Sequence, residues 1–130
     1  MAQDDIEIDI DLDGLESAIV QLGEEEEEKR RRVEGALEAS ASDIRGDAKE
    51  NAPVQSTNLR NSIHQRETKG SGPGREVYTG MEYAARQEFG FRGTDSLGRT
   101  YDQQGSHYMK RAFESNRRET INRLRRALQG

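Results

Sequence analysis

From Glu24 to Asn51 the chain contains no proline, and Val33, Leu37, Ser40/Ala41, Ile44, Ala48 and Ala52 recur at helical spacing. This stretch is predicted to form one long helix, roughly 40 Å at ~1.5 Å per residue. Its apolar stripe is narrow and built mostly of small residues, which lets another helix or a sheet approach closely. Pro53 ends it, because proline lacks a backbone donor and biases Ala52 away from helical geometry. Five glutamates, Glu24 to Glu28, open the helix where its dipole favours acids. Lys29, Arg30, Arg31 and Arg32 follow, so Glu25, Glu26, Glu27 and Glu28 each precede a base by four residues, an arrangement worth roughly 0.2–0.5 kcal/mol per pair. The same pairing argues against reading the basic run as a nucleic-acid contact, which would want free cations and interleaved aromatics.

A second helix is predicted from about His107 to Leu128. Met109, Ala112, Phe113, Ile121, Leu124 and Leu128 form its inner stripe, and Arg111, Arg117, Arg118, Arg125 and Arg126 its basic outer face. Between the helices, Ser56 or Thr57 can cap a short turn that points Leu59 and Ile63 inward. Residues 64–68 and 76–79 read as a hairpin around Lys69-Gly-Ser-Gly-Pro-Gly74. Met81 to Phe89 carries Tyr83, Ala84, Ala85 and Phe89 at near-helical spacing, while Gly90 to Ser106 is polar, holds four glycines and shows no clear periodicity. It reads as a partner-contacting or disordered loop.

At the other end, Ile6, Ile8, Ile10 and Leu12 alternate with Glu7, Asp9 and Asp11, the period-two pattern of a strand with one aliphatic and one acidic face. Such an arm can pair with its own sheet or add to the sheet edge of a neighbouring copy. Residues 1–28 hold twelve acids and no base, whereas residues 107–130 hold seven bases and two acids. Attraction between copies or rings is one use of that asymmetry, and solvated faces are the other. With 31% apolar residues, 35% charged residues and no tryptophan, a monomer core is thin against the roughly 45–50% apolar content of ordinary domains. This composition fits partial disorder, a salt-adapted surface or a subunit that completes its core by assembly.

The chain has no cysteine, and its two histidines, His64 and His107, are far apart in sequence. Thiol chemistry and an imidazole metal pair are therefore not expected, and neither is a cofactor. The acids cluster in the arm and the helix start, where no apolar pocket is expected to shift them toward hydrolytic work. No membrane span or signal peptide is read, and the protein is expected to be intracellular when made.

Several segments in order carry a resemblance: Asn51-Ala-Pro-Val54, Ser56-Thr-Asn-Leu-Arg-Asn-Ser-Ile63, a hairpin, Tyr83-Ala-Ala-Arg-Gln-Glu-Phe-Gly90, a glycine-containing loop, and His107-Tyr-Met-Lys-Arg-Ala-Phe113. Across roughly residues 30–128 this order resembles the tail-completion, or head–tail joining, proteins of long-tailed phages and archaeal viruses. Thr57-Asn58-Leu59 stands where members usually have Thr-Gly-x-Leu, a change that asparagine's tolerance of left-handed backbone accommodates. The resemblance implies a virion structural protein without enzymatic activity that forms a ring with copies of itself, commonly a hexamer, between connector proteins and the tail tube or its terminator. Viral DNA would pass through the bore without being read, and assembly would take place in the host cytoplasm.

The expected fold is α+β, with the two helices packed on a small antiparallel sheet. Residues 1–23 are expected to be an acidic arm and residues 24–130 a single domain. Phe89, Phe113, Leu37, Ile44, Leu59, Ile63, Val77, Tyr83, Ile121 and Leu124 are the expected core. The candidate assembly interface comprises Ile6, Ile8, Ile10, Glu25, Glu26, Glu27, Arg92, Asp95, Arg117, Arg118, Arg125 and Arg126. Two other functions fit the pattern: a nucleic-acid-binding protein using the basic helix, and an assembly factor absent from the mature particle.

Overall fold

The computed structural model describes residues 12–52, 57–68, 73–80, 84–94 and 100–129. The arm alternation at Ile6, Ile8 and Ile10, and the positions Tyr83 and Asp95, lie outside these residues. Leu12 is described; it is buried and sits outside regular secondary structure. After it, Asp13 and Gly14 both take positive φ, 57° and 81°, a reversal that glycine makes freely and aspartate tolerates better than most residues. The turn launches α1, Leu15–Val20. A 3₁₀ turn, Glu24–Glu26, leads into α2, Glu27–Asn51. As the proline predicted, α2 ends with Ala52 in extended geometry. A short α3, Thr57–Asn61, then turns the chain into strands β1, His64–Glu67, and β2, Arg75–Tyr78. These pair antiparallel, with His64 opposite Tyr78.

Helix α4, Ala84–Phe89, runs directly into β3, Gly90–Thr94, which pairs antiparallel with β4, Thr100–Gln104. The sequence pattern predicted a loop here. The structure makes a second hairpin instead, so the described residues hold two two-stranded ladders rather than one sheet. Backbone pairing builds this hairpin without an apolar stripe, which is why periodicity did not announce it. Helix α5, Tyr108–Gln129, closes the chain. The architecture is α+β, with two long helices flanking small antiparallel ladders.

Helices α2 and α5 lie antiparallel. The Nε of Arg32 donates to the carbonyl of Ala127 at 3.1 Å, the Nη1 of Arg123 to the hydroxyl of Ser40 at 3.2 Å, and the side-chain amide of Asn51 to the carbonyl of Tyr108 at 3.3 Å. The first of these bonds also satisfies a carbonyl in the last turn of α5, for which the helix has no internal donor.

Two apolar clusters form along this pair. One joins Ile44, Ala48, Leu59, Ile63, Tyr108 and Met109 beneath α3, α4 and the first hairpin. The other joins Leu12, Ile19, Leu22, Val33, Ile121 and Leu124 under α1. Within the segment read as an arm, residues 12–22 therefore contribute three side chains to the core.

Most of the expected core residues are buried or packed against these clusters, but Phe89 is 54% exposed. The reason is geometric. Ala84 and Glu88, four residues apart, share the buried face of α4, and Phe89 falls about 140° around the helix from Ala84 at ~100° per residue.

Candidate assembly surface

The described interface residues do not form one patch: they fall at both ends of the helix pair, with Arg117 and Arg118 midway along α5. Since the start of α2 lies against the end of α5, Glu25, Glu26 and Glu27 share one end with Arg125 and Arg126. Arg92 lies in β3, beyond the opposite end, with Asp102 as its partner in the strand register. About 25 Å of α5, at ~1.5 Å per residue, separates Arg125 from the helix start.

At the acidic end, Glu27 and Arg31 approach to 3.4 Å and Glu28 and Arg32 to 3.6 Å. The corresponding pair expected for Glu26 does not form; the guanidinium of Arg30 donates to the carbonyl of Leu22 at 2.9 Å. Residues 24–26 are wound as a 3₁₀ turn, and its tighter spacing withholds the four-residue alignment until Glu27. Both formed pairs include a largely exposed glutamate, so each adds only tenths of a kcal/mol, and the glutamates remain open to a partner.

The basic face of α5 is partly neutralised within the subunit. Asp13 lies 2.9 Å from the guanidinium of Arg117 and 3.7 Å from that of Arg125, and Arg126 meets Glu119 at 3.4 Å. Arg123, which the sequence reading left out, bonds Asp43 at 2.8 Å and also reaches Glu119. Arg118 is exposed. Folding thus brings Asp13, from the acidic N-terminal segment, onto two of the C-terminal bases.

Glu88 was not anticipated. Its side chain is fully buried, yet its two carboxylate oxygens accept hydrogen bonds from the backbone N–H groups of Met109 and Lys110, at 2.7 and 3.1 Å. A carboxylate at a helix N-terminus satisfies orphan donors and meets the positive end of the dipole. Three further bonds fasten the same junction: His107 N–H to Glu88 carbonyl at 3.0 Å, Ser106 N–H to Gln87 carbonyl at 2.8 Å, and the Tyr108 hydroxyl to the Ala84 carbonyl at 3.2 Å. The phenol of Tyr108 is pushed up from its ordinary value, first by burial and then by the charge of Glu88. Ser106, just before α5, spends its hydroxyl on the Gln87 carbonyl, so the cap of α5 comes from Glu88 instead.

Among the described residues the large apolar side chains of Val20 and Phe89 stand exposed. An open apolar groove of about 250 Å³ runs between α1, α2, α5 and the first hairpin. Among the described residues no cluster of His, Cys, Asp or Glu could hold a metal ion, and no helix is long and apolar enough to cross a membrane.

A family model described as "Bacteriophage HK97-gp10, putative tail-component" matches residues 16–90, more than half of the chain. The chain belongs to the HK97-gp10-like family. The match begins in α1 and extends through α2, both strands of the first hairpin and α4, ending at the first residue of β3. It includes Ala52-Pro53-Val54 and Glu88-Phe89-Gly90, two segments that carry the resemblance in the sequence. Membership in the HK97-gp10-like family assigns a structural role in the virion tail. Neither curated proteins nor solved structures yield a match to this chain.

Proposed function

We propose that the chain is a head–tail joining subunit. It closes into a ring, sixfold in this reading, between the connector and the tail tube or its terminator, and viral DNA passes through the bore. The observation that carries the proposal is the family match over residues 16–90. The composition supports it as well, because a chain with 31% apolar residues gains by burying further surface against neighbours.

In this reading the subunit works by geometry rather than by chemistry. The exposed Glu25 and Glu27, with Glu26, face the bore or a basic neighbour, since acids lining a channel repel phosphates and keep DNA from adhering. The β3–β4 hairpin, carrying Arg92, meets an adjacent subunit or ring together with Asp95, which lies outside the described residues. Arg118 and the partly neutralised Arg117, Arg125 and Arg126 form the complementary basic side. The ion pairs of Asp13 and Glu119 with these arginines lower the cationic field that nucleic-acid binding requires, which favours a protein partner.

Electron microscopy of the protein mixed with purified tail tubes tests the proposal. Ring-shaped density capping one end of the tube is expected. Tubes left bare at saturating protein, together with tight salt-dependent binding of duplex DNA, would favour the nucleic-acid-binding alternative.

A further inference from the structure

The apolar groove lies where the core is divided. Leu12, Ile19 and Leu37, which line one part of it, belong to the cluster under α1; Ile44, Val77 and Phe113, which line the other, belong to the cluster at the hairpin end. The groove is therefore the unfilled joint between two halves of one core. At about 250 Å³ it falls below the roughly 300–1,000 Å³ of small-molecule pockets, and its apolar lining suits aliphatic side chains.

We propose that this groove seats the chain's own N-terminal arm, with Ile6, Ile8 and Ile10 entering it. Leu12 is the starting point. It is buried and lines the groove, and it is the last member of the alternation Ile6, Ile8, Ile10, Leu12. Residues two apart on a strand share a face, so an extended arm continuing back from Leu12 carries the three isoleucines on the side Leu12 already presents. Reach is no obstacle: six residues of strand span roughly 20 Å at ~3.3 Å each.

The opposite face of that arm carries Glu7, Asp9 and Asp11. Arg75 lines the apolar groove and also, with Arg30 and Arg31, the adjoining polar one. The rim is mixed in charge, with Glu16, Glu34, Glu38 and Glu67 beside these arginines, so it offers the acidic face three cations among acids while the floor takes the aliphatic face. Strand β2 contributes Arg75 and Val77 to the groove and pairs only with β1 among the described residues, so its other edge offers backbone partners to an extended segment.

Because the chain has no cysteine, a crosslinking test is clean. Ile6→Cys, Ile8→Cys and Ile10→Cys are each combined with Val77→Cys and treated with a short bis-maleimide, which tolerates a shift of register. The same three combined with Glu50→Cys, exposed and near the far end of α2, serve as controls. The expected result is rapid crosslinking within one chain for at least one Val77 pair, at a rate independent of protein concentration, and at least tenfold slower reaction with Glu50→Cys. Covalent dimers in place of intrachain product would show that a second copy's arm fills the groove, and equal rates at both positions would show that the arm does not dock; either overturns the proposal. In a second arm, Ile8→Asp is expected to raise the fluorescence of a dye that binds exposed apolar surface and to lower Tm, and unchanged values for both would contradict it.

Discussion

Glu88 and Met109 are joined by a 2.7 Å hydrogen bond from a backbone amide at the start of α5 to a fully buried carboxylate on α4. With the second bond to Lys110, this contact fixes where the last helix begins, and with it the end of the molecule that carries the β3–β4 hairpin.

Glu88→Ala leaves those amides without a partner and is expected to cost about 1.5–3 kcal/mol, the range for hydrogen bonds to a charged group. Glu88→Gln retains one acceptor and is expected to cost less. Urea unfolding of the two variants orders them, and an alanine variant as stable as the parent would contradict the capping role.

Tyr108 makes stability fall at alkaline pH. Its phenol titrates higher in the folded chain than its ordinary 10.0, because burial and then Glu88 disfavour the phenolate. Below pH ~10 both states keep the proton; above it the unfolded chain releases one that the folded chain retains, so stability declines by up to about 1.4 kcal/mol per pH unit from this group. Tyr108→Phe is expected to shed that part of the slope between pH 10 and 11. Identical slopes for parent and variant in denaturant melts would refute the assignment.

The long helix and its stop at Pro53 were legible because one residue type carries both steric facts that end a helix. The first hairpin was legible from its glycine-rich turn. The second was not: apart from Phe91 and Tyr101 its strands bear polar residues and glycines, and what defines it is the register of Gly90 on Gln104 and Arg92 on Asp102, which no apolar alternation marks. On α4 the roles of two neighbours were exchanged. Hydropathy sends Phe89 inward and Glu88 outward, but the uncapped end of α5 requires the acid inside. Of the candidate interface, the pairing of Asp13 with Arg117 and Arg125 was hidden for the same reason, since over a hundred residues separate the partners.

Phe89→Ser therefore discriminates between the two placements. At 54% exposure the change is expected to alter subunit stability by less than about 0.5 kcal/mol, whereas truncating a buried phenylalanine costs roughly 3–5 kcal/mol. Thermal melts read the difference. Leu124→Ala, at a fully buried site on α5, provides the contrast and is expected to cost about 2–5 kcal/mol.

Asp13→Asn removes the charge that meets Arg117 and Arg125 while keeping a side chain tolerant of the positive φ at this position. Both partners are substantially exposed, so a loss below about 1 kcal/mol is expected, shrinking further in 1 M salt as screening tightens to ~3 Å. A loss that persists in high salt would contradict an electrostatic role.

Native mass spectrometry of the purified protein, over a range of protein and salt concentrations, tests most directly whether this tail component acts by forming a ring. The account predicts a closed oligomer, six copies in the reading given above, growing with protein concentration at the expense of monomer. A chain that stays monomeric at every concentration, both alone and with its connector and tail neighbours added, would contradict it.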